Sequence, residues 1–488
     1  MNILSIDQGT TSSRAMIINE EGKVISLAQY PITQHYPEAG WVEHDAEEIV
    51  ETTLRAVGDC LYGFSEKIDA IGITNQRETT IVWDKYSAKP LARAIVWQCR
   101  RTAPICESLI EMGLEDYVKN TTGLKIDAYF SATKLKWLLD NDEKIRSSAE
   151  KGDALFGTIE SYLIYVLTGN HFTDVSNASR TMMFDINKLC WDEKICEILG
   201  IPMKMLPKVK DNCAFFGSVV KNDDIPSKIW GVPIFAAMGD QQAALFGQTC
   251  FEIGDVKNTY GTGCFTLMNI GDKPVFDKEL VTSIAWKCGD EICYALEGSV
   301  FNAGSSVQWL RDEMKMIESA AECSALAETV DSTEGAVFVS AFTGLGAPYW
   351  DMYARGAFLG ITRGCGRAHL CRAVLEGIAF QVKDLVETME KASGLDIKAL
   401  YVDGGASVSN FMMQFQADIL DSEVDRPSNI ETTALGAGYM AALGAGLLTK
   451  DDLKGARKNE RIFKPSFTKE QIEENYSRWQ RAVKAVRL

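Results

Sequence analysis

The run Asp7-Gln8-Gly9-Thr10-Thr11-Ser12-Ser13-Arg14 places a carboxylate, a glycine, a series of hydroxyls and a guanidinium within eight positions. That order suits a metal–phosphate site. Gly9 lets backbone approach a phosphate, the hydroxyls and amides donate, and Asp7 can hold a hydrated Mg²⁺. Arg14 can neutralise a transferring group. The plainer alternative is a polar hairpin turn capped by its own Ser and Thr side chains. No Gly-x-x-x-x-Gly-Lys stretch occurs, so this is not a Walker loop.

Three further places carry chemistry. Asp240 lies where the apolar run Val232 to Met238 gives way to Ala- and Leu-rich sequence ending at Gly247. A carboxylate there can take a proton from an alcohol attacking phosphorus, although Asp is also a common helix N-cap. Asn75-Gln76-Arg77-Glu78-Thr79-Thr80 sets an acid beside a base after a strand. The pair suits neighbouring hydroxyls; a surface ion pair is the bland alternative. In the second half, Gly261-Thr262-Gly263 reads as another phosphate turn, and Asp403-Gly404-Gly405-Ala406-Ser407 precedes a helix whose terminus can receive a nucleotide. Gly304 and Gln308 fall one helical turn apart, and Trp97, Tyr129 and Phe265 stand near these runs as core or ligand wall.

The elements that must position these residues alternate. Strands are predicted at Asn2 to Ile6, Arg14 to Ile18, Val24 to Tyr30, Ile68 to Ile73 and Thr80 to Trp83, with a helix from Asp45 to Leu61 opened by a capping sequence. After residue 250 a similar opening recurs: Gly254 to Tyr260, Cys264 to Asn269, Ser283 to Trp286 and Ile292 to Leu296. Later come a strand at Ala336 to Ser340, a helix from His369 to Met389, a strand at Ala399 to Val402, and helices at Ser409 to Leu420 and Thr433 to Leu443. This is α/β patterning: two related units facing a cleft, residues 1–250 and 251–488, with a helical tail after about residue 445.

Composition agrees with that class. The 488 residues are 46% hydrophobic and 24% charged, enough for two large cores. A formal net charge of −17 argues against nucleic acid or an anionic membrane as partner. The 13 cysteines include no Cys-x-x-Cys pair and are expected to be reduced thiols of a cytoplasmic protein. No long apolar run suggests a membrane span or a leader.

Together with Gly40 to Asp45, Val96 to Thr102, Gln308 to Asp312 and Phe342 to Asp351, these runs resemble the carbohydrate kinase family of the actin, heat-shock-chaperone and sugar-kinase superfamily. The likeness covers residues 1 to about 445, and is greatest to members that phosphorylate glycerol. It implies two ribonuclease-H-like domains around a cleft that closes on ATP, Mg²⁺ and the polyol, and a homodimer or homotetramer. It implies that Arg77, Glu78, Tyr129, Asp240 and Gln241 hold the glycerol hydroxyls against Trp97 and Phe265. Asp240 would be the base, and Asp7 and Asp240 would hold Mg²⁺ through water. Thr10, Thr11, Ser12 and Arg14 would attend the phosphates; Thr262, Gly304, Gln308 and Gly405 would line the nucleotide site. The product implied is sn-glycerol 3-phosphate. Two positions depart from the family pattern. Ser409 stands where members often have a nucleotide-binding Asn, and Lys221 to Lys228 lacks the glycines of an effector-binding loop. A kinase of the same fold for xylulose or gluconate, and an ATP-driven binding protein, are the rival readings.

Overall fold

The computed structural model describes residues 1–487. Two open sheets form its frame. Apolar residues of the opening segment, Ile3, Leu4 and Ile6, are fully buried, so strand Asn2–Gln8 becomes the centre of the first sheet. It pairs antiparallel with Ser12–Asn19, which pairs with Val24–Pro31; on its other side Ala70–Asn75 and Pro233–Gly239 follow in parallel. Register decides what meets at the carboxyl edge. Asp7 lies opposite Arg14 and Thr74, and Asn75 opposite both Gln8 and Gly239. The phosphate turn, Gln76-Arg77-Glu78 and Asp240 all therefore leave the sheet at one edge, where open α/β sheets place their ligands.

The second sheet repeats the central part of this order. Strand Val256–Tyr260 pairs antiparallel with Cys264–Gly271, then come Glu291–Val300 and Val281–Cys288; Ala399–Asp403 and Glu423–Pro427 run parallel on the other side. The recurrence expected after residue 250 is thus a second sheet with the same centre, one strand antiparallel to its successor on one side and followed by two parallel strands on the other, but Val281–Cys288 lies at its edge beyond Glu291–Val300. The segment after residue 445, read as helical, also contributes a strand: Asn459–Phe463 extends this sheet between helices Lys450–Ala456 and Lys469–Val486.

The halves are joined by two helices that cross. Asp240–Gly247 continues the last parallel strand of the first sheet, whereas Thr432–Gly444 comes from the second half and lies on the first sheet, where Ser5 Oγ donates to the Ala434 carbonyl at 2.6 Å. Glycines permit the crossing: a Cβ at Gly436 would stand 1.8 Å from the Ala243 carbonyl oxygen, and one at Gly247 would stand 2.0 Å from that of Thr432.

Helix Ala46–Cys60 begins as its sequence suggests, with the Asp45 side chain accepting from the Glu47 amide. One expectation is corrected: Cys213 and Cys288 are joined in a disulfide, their Cα atoms 5.3 Å apart. These residues are 75 positions apart, and no local spacing marks them as a pair. Among the described residues, no helix is long and apolar enough to cross a membrane.

Candidate active site

Arg77 and Glu78 are not a surface ion pair. Both are buried, and each has a counter-ion from a distant segment. Arg77 donates to both oxygens of Glu297 at 2.6 and 2.7 Å, in the two-pronged geometry that only a guanidinium offers. Arg180, fully buried, donates from Nε to Glu78 Oε1 at 2.6 Å and stands 3.3 Å from Glu297. Two acids and two bases close a ring. Burial opposes ionisation of Glu297, but Arg180 and Arg77 outweigh it and hold its pKa down to about 2. Oε2 of Glu78 accepts no hydrogen bond among the described residues.

Glu78 has φ 62°, a left-handed conformation that a side chain adopts at a cost. Its carbonyl accepts from Ser131 Oγ at 3.0 Å and Thr80 Oγ1 at 3.2 Å, so neighbouring hydroxyls hold the turn.

Asp240 joins this group through Arg77, whose Nε lies 3.2 Å from Asp240 Oδ1. The N-cap position is taken by Gly239, and the Asp240 side chain is left for other work. Oδ1 also accepts from the Gln241 amide at 2.7 Å; Oδ2 receives only a long contact, 3.3 Å, from Gln241 Nε2. The less engaged oxygen is the one suited to accept a proton. Trp97 packs edge-on against Tyr129 and Phe265, with centroids 5.5 and 6.2 Å away, and donates from Nε1 to Thr10 Oγ1 at 2.9 Å. An apolar wall therefore links the phosphate turn to the charged ring.

The turn itself closes by Gly9 N donating to the Ser12 carbonyl at 2.9 Å. Thr11 is exposed, Ser12 Oγ accepts from Gln29, and Arg14 is paired with Glu431 from the second half. Burial raises the Asp7 pKa to about 6; Arg14 opposes the rise and Asp240 adds to it. Two acids close enough to repel fit a cation held through water. Among the described residues no group of three or more His, Cys, Asp or Glu could hold a metal directly.

On the second sheet three turns converge. Gly304 N donates to the Gly261 carbonyl at 3.0 Å, and a Cβ at Gly304 would come within 2.6 Å of that oxygen. Gly404, at φ 85°, lies against the Tyr260 backbone. Thr262, Gln308 and Gly405 are exposed around this seam. Ser409 is engaged elsewhere, capping helix Asn410–Leu420 by accepting from the Met412 amide.

Both halves of the chain match models of one family, described as the FGGY family of carbohydrate kinases: the N-terminal domain over residues 2–247 and the C-terminal domain over 256–445. The chain belongs to this family. Its α/β fold is the family's two-domain, actin-like ATPase architecture. The chain is 54% identical to glycerol kinase 2 of Thermotoga maritima, over 99% of this chain and 98% of the relative. It is 52% identical to glycerol kinase of Natranaerobius thermophilus, over 99% and 97%. The structure of Plasmodium falciparum glycerol kinase with ADP superposes with a TM-score of 0.95 at 37% identity, covering 100% of this chain and 98% of that one. A xylulose kinase from Lactobacillus acidophilus shares the fold at TM-score 0.89 and 22% identity, covering 99% and 98%.

Within this carbohydrate kinase, the structure gathers Arg77, Glu78, Tyr129, Asp240, Gln241, Trp97 and Phe265 with the turn at Thr10, and sets Thr262, Gly304, Gln308 and Gly405 along the second sheet's edge. Sequence reasoning did not find Arg180, Glu297 and Lys257. Glu297 interrupts a mainly apolar strand, which is the one local signal for it, whereas Lys257 stands in the mixed strand Val256–Tyr260, where nothing local marks it.

Proposed function

We propose that this kinase transfers the terminal phosphoryl group of ATP to glycerol, giving sn-glycerol 3-phosphate and ADP, with residues 1–250 holding the polyol and phosphate turn and 251–488 the nucleotide. The observation that carries the reading is the meeting of Asp240 with Arg77 at 3.2 Å, beside Glu78 and Gln241. A triol with no ring offers little apolar surface, so matched hydrogen bonds must recognise it, and each lost partner costs about 1–3 kcal/mol. Arg77 and Glu78, held by Glu297 and Arg180, are prearranged for that work. Trp97 and Phe265 cover the carbon chain. Asp240 accepts the hydroxyl proton at Oδ2 as the oxygen attacks phosphorus. Phosphoryl transfer needs in-line positioning and charge neutralisation more than covalent help. Arg14 leaves Glu431 to meet the phosphates, beside Thr10, Thr11 and Ser12. Mg²⁺, arriving with ATP, would be held through water by Asp7 and Asp240 and would offset phosphate charge. Thr262, Gly304, Gln308 and Gly405 receive the nucleotide. In this reading the enzyme works in the cytoplasm as a homo-oligomer, in glycerol uptake and breakdown.

The test is ADP release by the full chain with Mg²⁺ and ATP against glycerol, xylulose and gluconate, with the product checked by a dehydrogenase specific for the sn-3 ester. Glycerol is expected to stimulate release well above the basal rate. A preference for the ketose or the sugar acid would overturn the assignment.

A further inference from the structure

We propose that Lys257 is a positioning residue: it holds the Gln241 side-chain amide with its oxygen inward, so that the N–H end faces Asp240 and the polyol. The inference rests on the function proposed above. Lys257 belongs to strand Val256–Tyr260, the centre of the second sheet, and is fully buried there. A lone amine in that position is costly unless its donors are used and its charge is answered. Its partners lie on its own sheet and, across the cleft, on the crossing helix. Nζ donates to Gln241 Oε1 at 2.5 Å and to Thr259 Oγ1 at 2.9 Å. The charged groups facing it are Asp403 on the neighbouring strand, Asp240 at the start of the crossing helix, and beyond them Arg77 and Glu297.

The choice between the two ends of the amide follows from what an ammonium lacks. It has three donors and no acceptor, so it can meet a carboxamide only through oxygen. The two ends of a Gln amide are nearly the same size, and sterics alone do not choose between them. With Oε1 on Lys257, Nε2 is directed to Asp240 Oδ2, 3.3 Å away. That end matters because most of the Arg77 donors are already engaged. Arg77 spends Nη1 on Glu297 and Gln242, Nη2 on Glu297, and Nε on Asp240. Glu78 and Asp240 only accept. A Gln241 amide turned the other way would add a further acceptor next to the catalytic carboxylate and take one donor away from the polyol.

Protonation is the natural probe of such a lock. Burial lowers the Lys257 pKa to about 8, with Asp403 and Asp240 opposing the drop. Below that value the group is a donor only. Above it, a neutral amine gains a lone pair and tolerates either end of the amide. The glycerol KM of the parent should therefore rise through the alkaline range while the ATP KM holds.

Kinetics of the full chain with Mg²⁺ and ATP test this in the parent, Lys257→Met, Gln241→Met and the double variant. Each single change is expected to raise the glycerol KM about tenfold, the effect of one hydrogen bond, and to leave the ATP KM within about twofold. The double variant should be no worse than Gln241→Met, and the alkaline rise should vanish with Lys257. Additive losses, equal damage to both KM values, or an unchanged glycerol KM in Lys257→Met would overturn the inference. Should Lys257→Met not fold, Lys257→Arg serves: always charged and donor-only, it should keep the parent KM and show no alkaline rise, and a persisting rise would sink the idea. A parent that leaves glycerol untouched overturns both this inference and the function proposed. An active parent with an indifferent Lys257 overturns only the inference.

Discussion

The polyol end and the nucleotide end of the cleft are built by opposite means. At the polyol end, side chains of Arg77, Glu78, Arg180 and Glu297 come from three separate segments, are buried, and pair with one another at 2.6 to 3.3 Å. At the nucleotide end the material is backbone: Gly261, Gly304 and Gly404 pack against each other's strands, and a Cβ added at Gly405 would meet nothing within 4 Å. The contrast follows from the ligands proposed. A small uncharged triol brings little binding energy, so the protein must arrange its partners in advance. A nucleotide brings charge and surface of its own, and needs amides and room.

That contrast can be broken by mutation, and the largest effect should come from the acid between the two ends. Asp240→Asn is expected to lower kcat by a factor of about 10²–10⁴, the usual worth of general acid–base help, with the ATP KM nearly unchanged. Near-normal turnover would remove Asp240 from the role of base.

Glu297→Gln comes next. It leaves Arg77 and Arg180 buried with one fewer counter-charge, at a cost of about 3–5 kcal/mol. Thermal unfolding should show a lowered Tm, and glycerol binding should suffer more than ATP binding. Equal losses at both ends would mean that the ring of charges is a general core feature and not a polyol device.

The two glycines of the opposite end sharpen the comparison. Gly304→Ala forces a Cβ towards the Gly261 carbonyl and should lower stability by about 1–3 kcal/mol, as overpacking does, while raising the ATP KM. Gly405→Ala meets no protein atom, so its Tm should match the parent. A raised ATP KM in Gly405→Ala would mean that nucleotide approaches that backbone; an unchanged one would take Gly405 out of the site.

The smallest effect concerns a carboxylate remote from both ends. Glu160 is fully buried, its Oε1 accepting from three hydroxyls, while Oε2 has no partner among the described residues. Burial, with Asp174 adding, raises its pKa to about 7. The native state thus holds a proton that the unfolded chain releases above its ordinary value of 4.5, so stability from this group is full below pH 4.5 and lost as pH rises to about 7. Glu160→Gln should remove that slope, its Tm gaining on the parent by a few degrees between pH 5 and 8. A constant difference would show that folding does not shift the titration of Glu160.

Much of this molecule was legible locally. Strand ends, turns and caps announce themselves through neighbours in sequence: Asp7 before Gly9, Arg77-Glu78 after an apolar run, Asp240 where Val232 to Met238 stops, Asp45 opening its helix. Their types named phosphate, hydroxyl and proton chemistry before any coordinates. What the chain could not declare was partnership. Glu297 lies 220 positions from Arg77, Arg180 102 from Glu78, and Cys288 75 from Cys213. A single charge in a strand looks the same whether it will face water or a buried counter-ion, because the energy that decides is Coulombic and acts through space. Sequence determined which groups stand ready at the ends of the strands; only the packing of segments far apart in the chain decided which charges would answer them.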